Sequence, residues 1–247
     1  MKQGLFTILE NTPLTGRVSL LRLGGDSSGI TAPGQFADVQ LPGLFLRRPF
    51  SICDWEEGSL TLLYEAVGQG TELLRALPLG TELDLLTGLG NGFTLDDAGD
   101  APLLIGGGTG VSPLYGLAKA FLARGLRPRV ILGFRRREEM YFWERFAALG
   151  LPPTVTTEDG SFGIRGFVTE AMDLPHSSVF ACGPEAMLRA VAETSDKPGQ
   201  LSFDTRMGCG FGACMGCTMA TVNGPKRVCK DGPVFRKEEI LWQTTES

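Results

Sequence analysis

Ala101-Pro102-Leu103-Leu104-Ile105-Gly106-Gly107-Gly108-Thr109-Gly110-Val111-Ser112-Pro113-Leu114 is the stretch that decides the fold. Its first five residues form a short apolar run that ends at glycine, which reads as a buried strand. The glycine turn follows at once, and Leu117-Ala118-Lys119-Ala120-Phe121-Leu122-Ala123 then repeats apolar residues at helical spacing. A strand, a glycine turn and a helix in succession offer the free N–H groups of a helix N-terminus to an anion. Further along, Arg129–Phe134 and Ser178–Cys182 read as strands, and Glu138 to Ala148 and Glu185 to Glu193 as helices. This alternation predicts a doubly wound parallel α/β sheet over residues 99–200. The turn is not the G-x-G-x-x-G fingerprint. Val111 stands where its third glycine belongs, and Phe134-Arg135 follow Gly133 where a ribose-binding acid is expected. On these residues alone, a phosphate-binding turn and a merely tightly packed one both stay open.

Upstream, residues 1–98 alternate short apolar runs with turn signals. Val18–Leu23 closes at Gly24-Gly25-Asp26, Leu60–Val67 ends at Gly68-Gln69-Gly70, and Glu82–Thr87 is a third strand. Turns at such intervals predict an antiparallel β-barrel. Within it lies Arg47-Arg48-Pro49-Phe50-Ser51-Ile52. Arg48 suits bidentate pairing with a pyrophosphate. Pro49 stiffens the strand, and Ser51 can exchange a hydrogen bond with a ring nitrogen. Gly70-Thr71 opens a helix over Glu72–Leu77, a second place for a phosphate. Arg-Pro-x-Ser by itself is also compatible with an ordinary edge strand, where proline is tolerated.

Downstream, residues 201–247 hold four of the six cysteines, in the order Cys209-x4-Cys214-x2-Cys217-x11-Cys229. The first three match the C-x4-C-x2-C order of plant-type [2Fe–2S] proteins. Gly208, Gly210, Gly212 and Gly216 give the tight turns such a loop needs and leave amides free to point at sulfur. A structural zinc site is the alternative, although zinc modules more often carry two spaced pairs than a triplet followed by a single cysteine. The other two cysteines read differently. Cys182 sits at a strand end with no neighbouring histidine to make it a thiolate, and Cys53 reads as a small buried filler.

The totals exclude several classes. The chain has 247 residues, with 23 basic against 28 acidic side chains and a net charge of −5, so it offers no basic footprint for nucleic acid. No apolar run reaches the ~20 residues of a membrane span. The first residues lack the apolar core of a secretory signal, which points to the cytoplasm. The single histidine, His176, argues against histidine-rich metal sites and is expected to be exposed.

Taken in order, Arg-Pro-x-Ser, Gly-Thr, Gly-Gly-Gly-Thr-Gly, Cys-Gly-Pro at 182–184 and the four cysteines resemble the ferredoxin-reductase superfamily over nearly the whole chain. More narrowly they resemble the electron transfer subunits of dihydroorotate dehydrogenase B. Met207-x-Cys209-Gly210-x-Gly212-Ala213-Cys214 and Val228-Cys229-Lys230-Asp231-Gly232-Pro233-Val234-Phe235 are especially similar to that family's end. The resemblance implies FAD on the barrel, contacted by Arg48, Pro49, Phe50, Ser51, Leu63, Tyr64, Glu65, Gly70 and Thr71. The family usually carries a basic residue where Glu65 stands, which leaves backbone contacts there. It implies NAD(H) at Gly106, Gly107, Gly108, Thr109, Gly110, Cys182, Gly183 and Pro184, and a [2Fe–2S] cluster on Cys209, Cys214, Cys217 and Cys229. It also implies electron flow between NADH and a separate FMN-containing subunit that oxidises dihydroorotate to orotate in pyrimidine synthesis, in a heterotetramer of two of each.

Hydride transfer between nicotinamide and flavin needs no protein acid or base, so no catalytic side chain is expected. Arg135-Arg136-Arg137 suits a 2′-phosphate, and so NADPH, or a solvated helix start paired with Glu138 and Glu139. Glu238 to Trp242 is expected to pack on the barrel or a partner. Two rival functions share these motifs. One is a subunit with the same cofactors that serves an NAD(P)H–ferredoxin or a sulfur- or hydrogen-metabolising oxidoreductase. The other is a zinc-stabilised redox-sensing module that binds a nucleotide without turnover.

Overall fold

The structure, a computed structural model, describes residues 1–242. The first layer is a closed antiparallel barrel. Its strands are β1 (Lys2–Pro13), β2 (Val18–Gly24), β3 (Phe36–Gln40), β4 (Arg48–Glu56), β5 (Ser59–Glu65) and β6 (Glu82–Leu89), with helix α1 (Gln69–Ala76) between the last two. They close in the order β1-β2-β5-β4-β3-β6. Period-2 alternation sends Leu21, Leu23, Ala37, Val39, Leu60, Leu62 and Leu85 into the barrel. Closure leaves the barrel no free sheet edge.

The α/β layer is built from β7 (Pro102–Gly107), α2 (Val111–Ala123), β8 (Arg129–Phe134), α3 (Trp143–Ala148), β9 (Thr154–Thr157), β10 (Ile164–Arg165), β11 (Ser178–Cys182), α4 (Glu185–Thr194) and β12 (Gly199–Ser202). The last region adds the hairpin β13 (Thr218–Thr221) and β14 (Gly224–Arg227), the short helix α5 (Val228–Asp231) and β15 (Val234–Arg236). The sheet order is β10-β9-β8-β7-β11-β12-β15. All neighbours are parallel except β15, which runs antiparallel on β12. The cysteine-bearing region is thus tied into the sheet by its own edge strand.

Alternation along these strands separates two further cores. Leu104, Val130, Leu132 and Phe180 face α2 and the outer wall of the barrel, where Val18, Leu20, Cys53 and Leu63 meet them. Leu103, Ile105, Ile131, Val179 and Ala181 face Leu188 and Val191 of α4, and the same core continues to Cys217, Val228 and Cys229. Each such aliphatic side chain contributes roughly 1.5–3 kcal/mol on burial. Barrel, sheet and cysteine region are therefore clamped by shared apolar contact.

Two local expectations are corrected. The helix read over Glu138–Ala148 is broken, with a short turn at Arg137–Glu139 and α3 beginning only at Trp143. Phe142 adopts a left-handed φ of 66° because Tyr141 and Phe142 are both drawn into the core, where Phe142 meets Tyr115 edge to face. His176 is half-buried rather than exposed, its Nδ1 2.7 Å from the Leu174 carbonyl and its Nε2 2.9 Å from Ser195 Oγ. The segment after β15 packs on the core shared with the cysteine region, where Trp242 lies against Phe203.

Candidate functional site

The sheet order reverses direction between β7 and β11, and the crevice at such a switch point is where α/β sheets bind nucleotides. Register places Cys182 opposite Gly106, so both chains leave the sheet at the same level. The turn Gly108–Gly110 and the segment Cys182-Gly183-Pro184 then touch. A Cβ on Gly110 would overlap the Cys182 carbonyl oxygen, and one on Gly183 would lie 3.2 Å from the Gly107 nitrogen. Glycine here is a matter of space, since the φ of Gly110 is an ordinary −63°. Tyr141 Oη donates to the Gly108 carbonyl at 2.5 Å, which turns that carbonyl toward the core. Burial, with smaller effects from Cys53, Glu65 and Cys182, raises the Tyr141 phenol, which stays a donor. Burial also pushes the Cys182 thiol up to about 12, so it is a neutral wall and not a nucleophile.

The barrel meets this crevice along β4. Ser112 Oγ, in the first turn of α2, donates to the Ser51 carbonyl at 3.3 Å. A Cβ on Gly116 would come within 2.9 Å of the Cys53 carbonyl oxygen, so α2 lies directly on the strand. The end of β5, at Glu65, meets the turn Gly108–Gly110. On the same side, Arg48 Nη1 donates to the carbonyls of Leu46 at 2.8 Å and Arg47 at 3.2 Å. Its Nε lies where a Cβ on Gly70 would come within 3.1 Å. The guanidinium and the N-terminus of α1 thus converge. Thr71 Oγ1 accepts from the amides of Val67 and Gly68 at 3.0 and 3.2 Å, which fixes the approach to that helix. The donor set fits a pyrophosphate: one cation and one helix N-terminus over a glycine that leaves room.

Leu63 and Tyr64 are buried, and Tyr64 donates to Asn11 Oδ1 at 2.7 Å, so these two can meet a ligand through their backbone only. Phe50 stacks edge to face on Tyr64. Pro49 and Ser51 alternate with it on the outer face of β4. Glu65 pairs with Arg17 at 3.1 Å, so the acidic side chain brings its own counter-charge.

The four cluster-type cysteines lie on one loop and one helix start. Cys217 and Cys229 are buried, Cys209 is half-buried and Cys214 is exposed. Cys209 Sγ accepts from the amides of Ala213 at 3.2 Å and Cys214 at 3.4 Å, and Cys217 Sγ from the amide of Cys229 at 3.4 Å. Against the cost of burial, the amides of Cys214, Phe211 and Ala213 and the Cys214 thiol hold Cys209 down to about 6. Burial, then Cys217 and Cys209, push Cys229 up to about 12. The thiols pair two and two, Cys209 with Cys214 and Cys217 with Cys229. Four thiols in two neighbouring pairs suit a dinuclear cluster, in which each iron takes two thiolates. The loop is braced by Arg227, which donates to the Gly212 carbonyl at 3.0 Å and pairs with Asp231 at 3.0 Å.

Tyr141, Ser112, Arg17 and Asp38 carry no motif. The one sequence signal for Tyr141 is the run Met140-Tyr141-Phe142-Trp143, whose consecutive apolar residues do not fit a surface helix. Of the arginine run, Arg136 pairs with Glu139 at 2.9 Å and Arg137 stacks over Phe162, 5.8 Å from its centroid.

Residues 204–241 match the family model described as the iron–sulfur cluster binding domain of dihydroorotate dehydrogenase B, and residues 104–193 match the oxidoreductase NAD-binding domain. A solved structure of an NADH-dependent reduced ferredoxin-NADP oxidoreductase is similar with a TM-score of 0.87 at 28% identity, covering 97% of this chain and 90% of that one. Phthalate dioxygenase reductase shares the fold, with a TM-score of 0.68 at 16% identity over 89% of this chain and 87% of that one. Barrel, switch-point crevice and four-cysteine loop in one chain define an NAD-linked electron-transfer oxidoreductase of the ferredoxin-reductase type. The dihydroorotate dehydrogenase B (NAD+) electron transfer subunit of Bacillus caldolyticus is 44% identical over 223 residues, 85% of this chain and 86% of the relative, and that of Bacillus cereus strain Q1 is 39% identical over 97% and 98%. The chain belongs to the family of dihydroorotate dehydrogenase B electron transfer subunits.

Proposed function

We propose that this chain relays electrons between a dihydroorotate-oxidising, FMN-containing catalytic subunit and NAD, using FAD and a [2Fe–2S] cluster, in pyrimidine synthesis. The observation that carries the reading is the contact of β4 with α2, which sets the Arg-Pro-x-Ser strand beside the glycine crevice while the neighbouring strand β3 touches the cysteine loop. Bound FAD supplies two-electron hydride exchange with nicotinamide and one-electron exchange with the cluster.

The protein's own part is binding, orientation and exclusion of water. Arg48 and the N-terminus of α1, at Gly70 and Thr71, neutralise the FAD pyrophosphate. Pro49, Phe50 and Ser51 present the strand on which the ring lies, and Leu63, Tyr64 and Glu65 contribute backbone. Gly106, Gly107, Gly108, Thr109 and Gly110, with Cys182, Gly183 and Pro184, form the floor and wall that bring nicotinamide to that ring. Cys209, Cys214, Cys217 and Cys229 hold the cluster, with Cys214 on the exposed side, where a partner subunit can approach. We place the complex in the cytoplasm as a heterotetramer of two of each subunit; among the described residues, no helix is long and apolar enough to cross a membrane.

The test is an anaerobic NADH titration of the purified chain followed by visible absorption, then repeated with the catalytic subunit and dihydroorotate. Flavin and cluster bands that bleach together, and NADH formation with dihydroorotate, are expected. A colourless protein overturns the assignment. The similarity to the ferredoxin-NADP oxidoreductase over nearly the whole chain supports a second reading with ferredoxin as acceptor. Turnover that appears only with ferredoxin would establish it instead.

A further inference from the structure

Asp38 is a buried carboxylate that none of the roles above uses. It is 2% exposed, and among the described residues no hydrogen-bond partner reaches its Oδ1. A buried carboxylate with an unpartnered oxygen costs stability, so its setting bears on what it does. Ala37 and Val39 point into the barrel, so alternation turns Asp38 outward. There it lies opposite Pro49 of the flavin strand, and the next outward pair is Phe36 with Ser51. On its other side is the cysteine loop. A Cβ on Gly210, one residue after Cys209, would overlap Asp38 Oδ2, and Gly210 itself has a left-handed φ of 75°. The carboxylate is therefore wedged between the strand assigned to the flavin and the loop assigned to the cluster.

The charges that act on it are few. Arg47 donates to the Asp38 carbonyl at 3.4 Å and is otherwise bound to Asp84, at 2.8 Å through its carbonyl and 3.0 Å through its carboxylate. Arg48 lies farther along the same turn, and Cys209 is the anionic neighbour. Among the described residues, no cation caps the carboxylate directly. In a poorly screened interior its charge reaches the adjacent loop.

We propose that Asp38 is a positioning residue of the relay, one that seats the cluster loop against the flavin strand and lowers the reduction potential of the [2Fe–2S] cluster through its negative charge. Burial raises the Asp38 carboxyl to about 6, so the titration is run at pH 8, where it is ionised. Adding an electron to a cluster beside that anion is disfavoured, and local net charge is among the factors that set cluster potentials. The inference rests on the reading of the four cysteines as a [2Fe–2S] site.

The experiment is a redox titration of the holoprotein, with the cluster followed by electron paramagnetic resonance and the flavin by absorption, in the wild type and in Asp38→Asn. Asparagine keeps the shape and removes the charge. The ratio of reduced to oxidised cluster at a fixed potential is expected to rise about tenfold, about 59 mV for a one-electron couple. A variant with full iron and flavin content and an unchanged cluster potential overturns the proposal. If Asp38→Asn accumulates without iron, Arg47→Gln reads the same field with the opposite sign: the ratio should fall, and no change overturns the proposal. A wild-type chain that binds no iron removes the functional reading itself, and with it this inference. That outcome is visible before any variant is compared.

Discussion

The hydroxyl of Tyr141 is bonded to the carbonyl of Gly108 at 2.5 Å, so a residue from the broken helix start fixes the shape of the glycine turn. The bond holds the Gly108 carbonyl inward, where it also accepts from the Val111 amide. Tyr141→Phe removes it and leaves the ring in its aromatic cluster with Phe134 and Phe142. One lost buried hydrogen bond is worth about 1 kcal/mol, or about fivefold. The expected result is a rise of about fivefold in the KM for NADH, with kcat for flavin reduction little changed. Steady-state kinetics with an artificial acceptor measures both, and a fall in kcat at constant KM would contradict this role.

Gly110→Ala tests the crevice itself. Its backbone angle suits alanine, so the obstacle is the overlap of the new Cβ with the Cys182 carbonyl and the Gly183 nitrogen. The new Cβ is fixed by its own backbone and the atoms it meets are backbone, so neither can rotate away. Overpacking of this kind costs about 1–3 kcal/mol. The variant should melt lower and lose NADH-dependent flavin reduction by tenfold or more, while it keeps its FAD. Calorimetry and flavin absorbance separate these effects, and loss of flavin together with NADH binding would mean that the two sites are not distinct.

Cys182 and Cys53 give a pH signature. Burial raises both thiols, Cys182 to about 12, from an ordinary value of about 8.5. A raised thiol favours the protonated folded state. The stability it provides is complete below the unfolded value and is lost as pH climbs through the folded one. Unfolding free energy should therefore be insensitive to these groups below about pH 8 and fall from there toward pH 12. Iodoacetamide labelling of the native protein at pH 8, read by mass spectrometry, should spare both residues. Rapid modification of Cys182 would show that it is a reactive thiol.

Much of the arrangement was legible in the chain. The apolar run Ala101–Ile105 reads as the buried strand that became β7, Arg129–Phe134 and Ser178–Cys182 match their strands, and the Cys209–Cys217 spacing points to the cysteine loop. What stayed hidden depends on contacts between distant segments. The break at Phe142 arises because Tyr115 and Tyr141 provide its aromatic partners, which outweigh local helix propensity. The attachment of β15 to β12 and the wedge of Asp38 against Gly210 join residues far apart in sequence. No local pattern encodes either one.

Cys214→Ser tests the order of the relay. Cys214, the exposed thiol beside Cys209, is the proposed ligand whose loss perturbs the loop without opening a core. A hydroxyl is a poorer iron ligand than a thiolate, because it is far less acidic. The expected protein retains FAD, since Arg48 and the N-terminus of α1 belong to the barrel and not to the cysteine loop. NADH should still bleach the flavin band at close to the wild-type rate, while electron transfer to the catalytic subunit falls by a factor of a hundred or more. Stopped-flow absorption resolves the first step and dihydroorotate-coupled turnover the second. Equal loss of both would place the cluster between NADH and the flavin, contrary to the geometry, in which the glycine crevice meets β4 and the end of β5 directly.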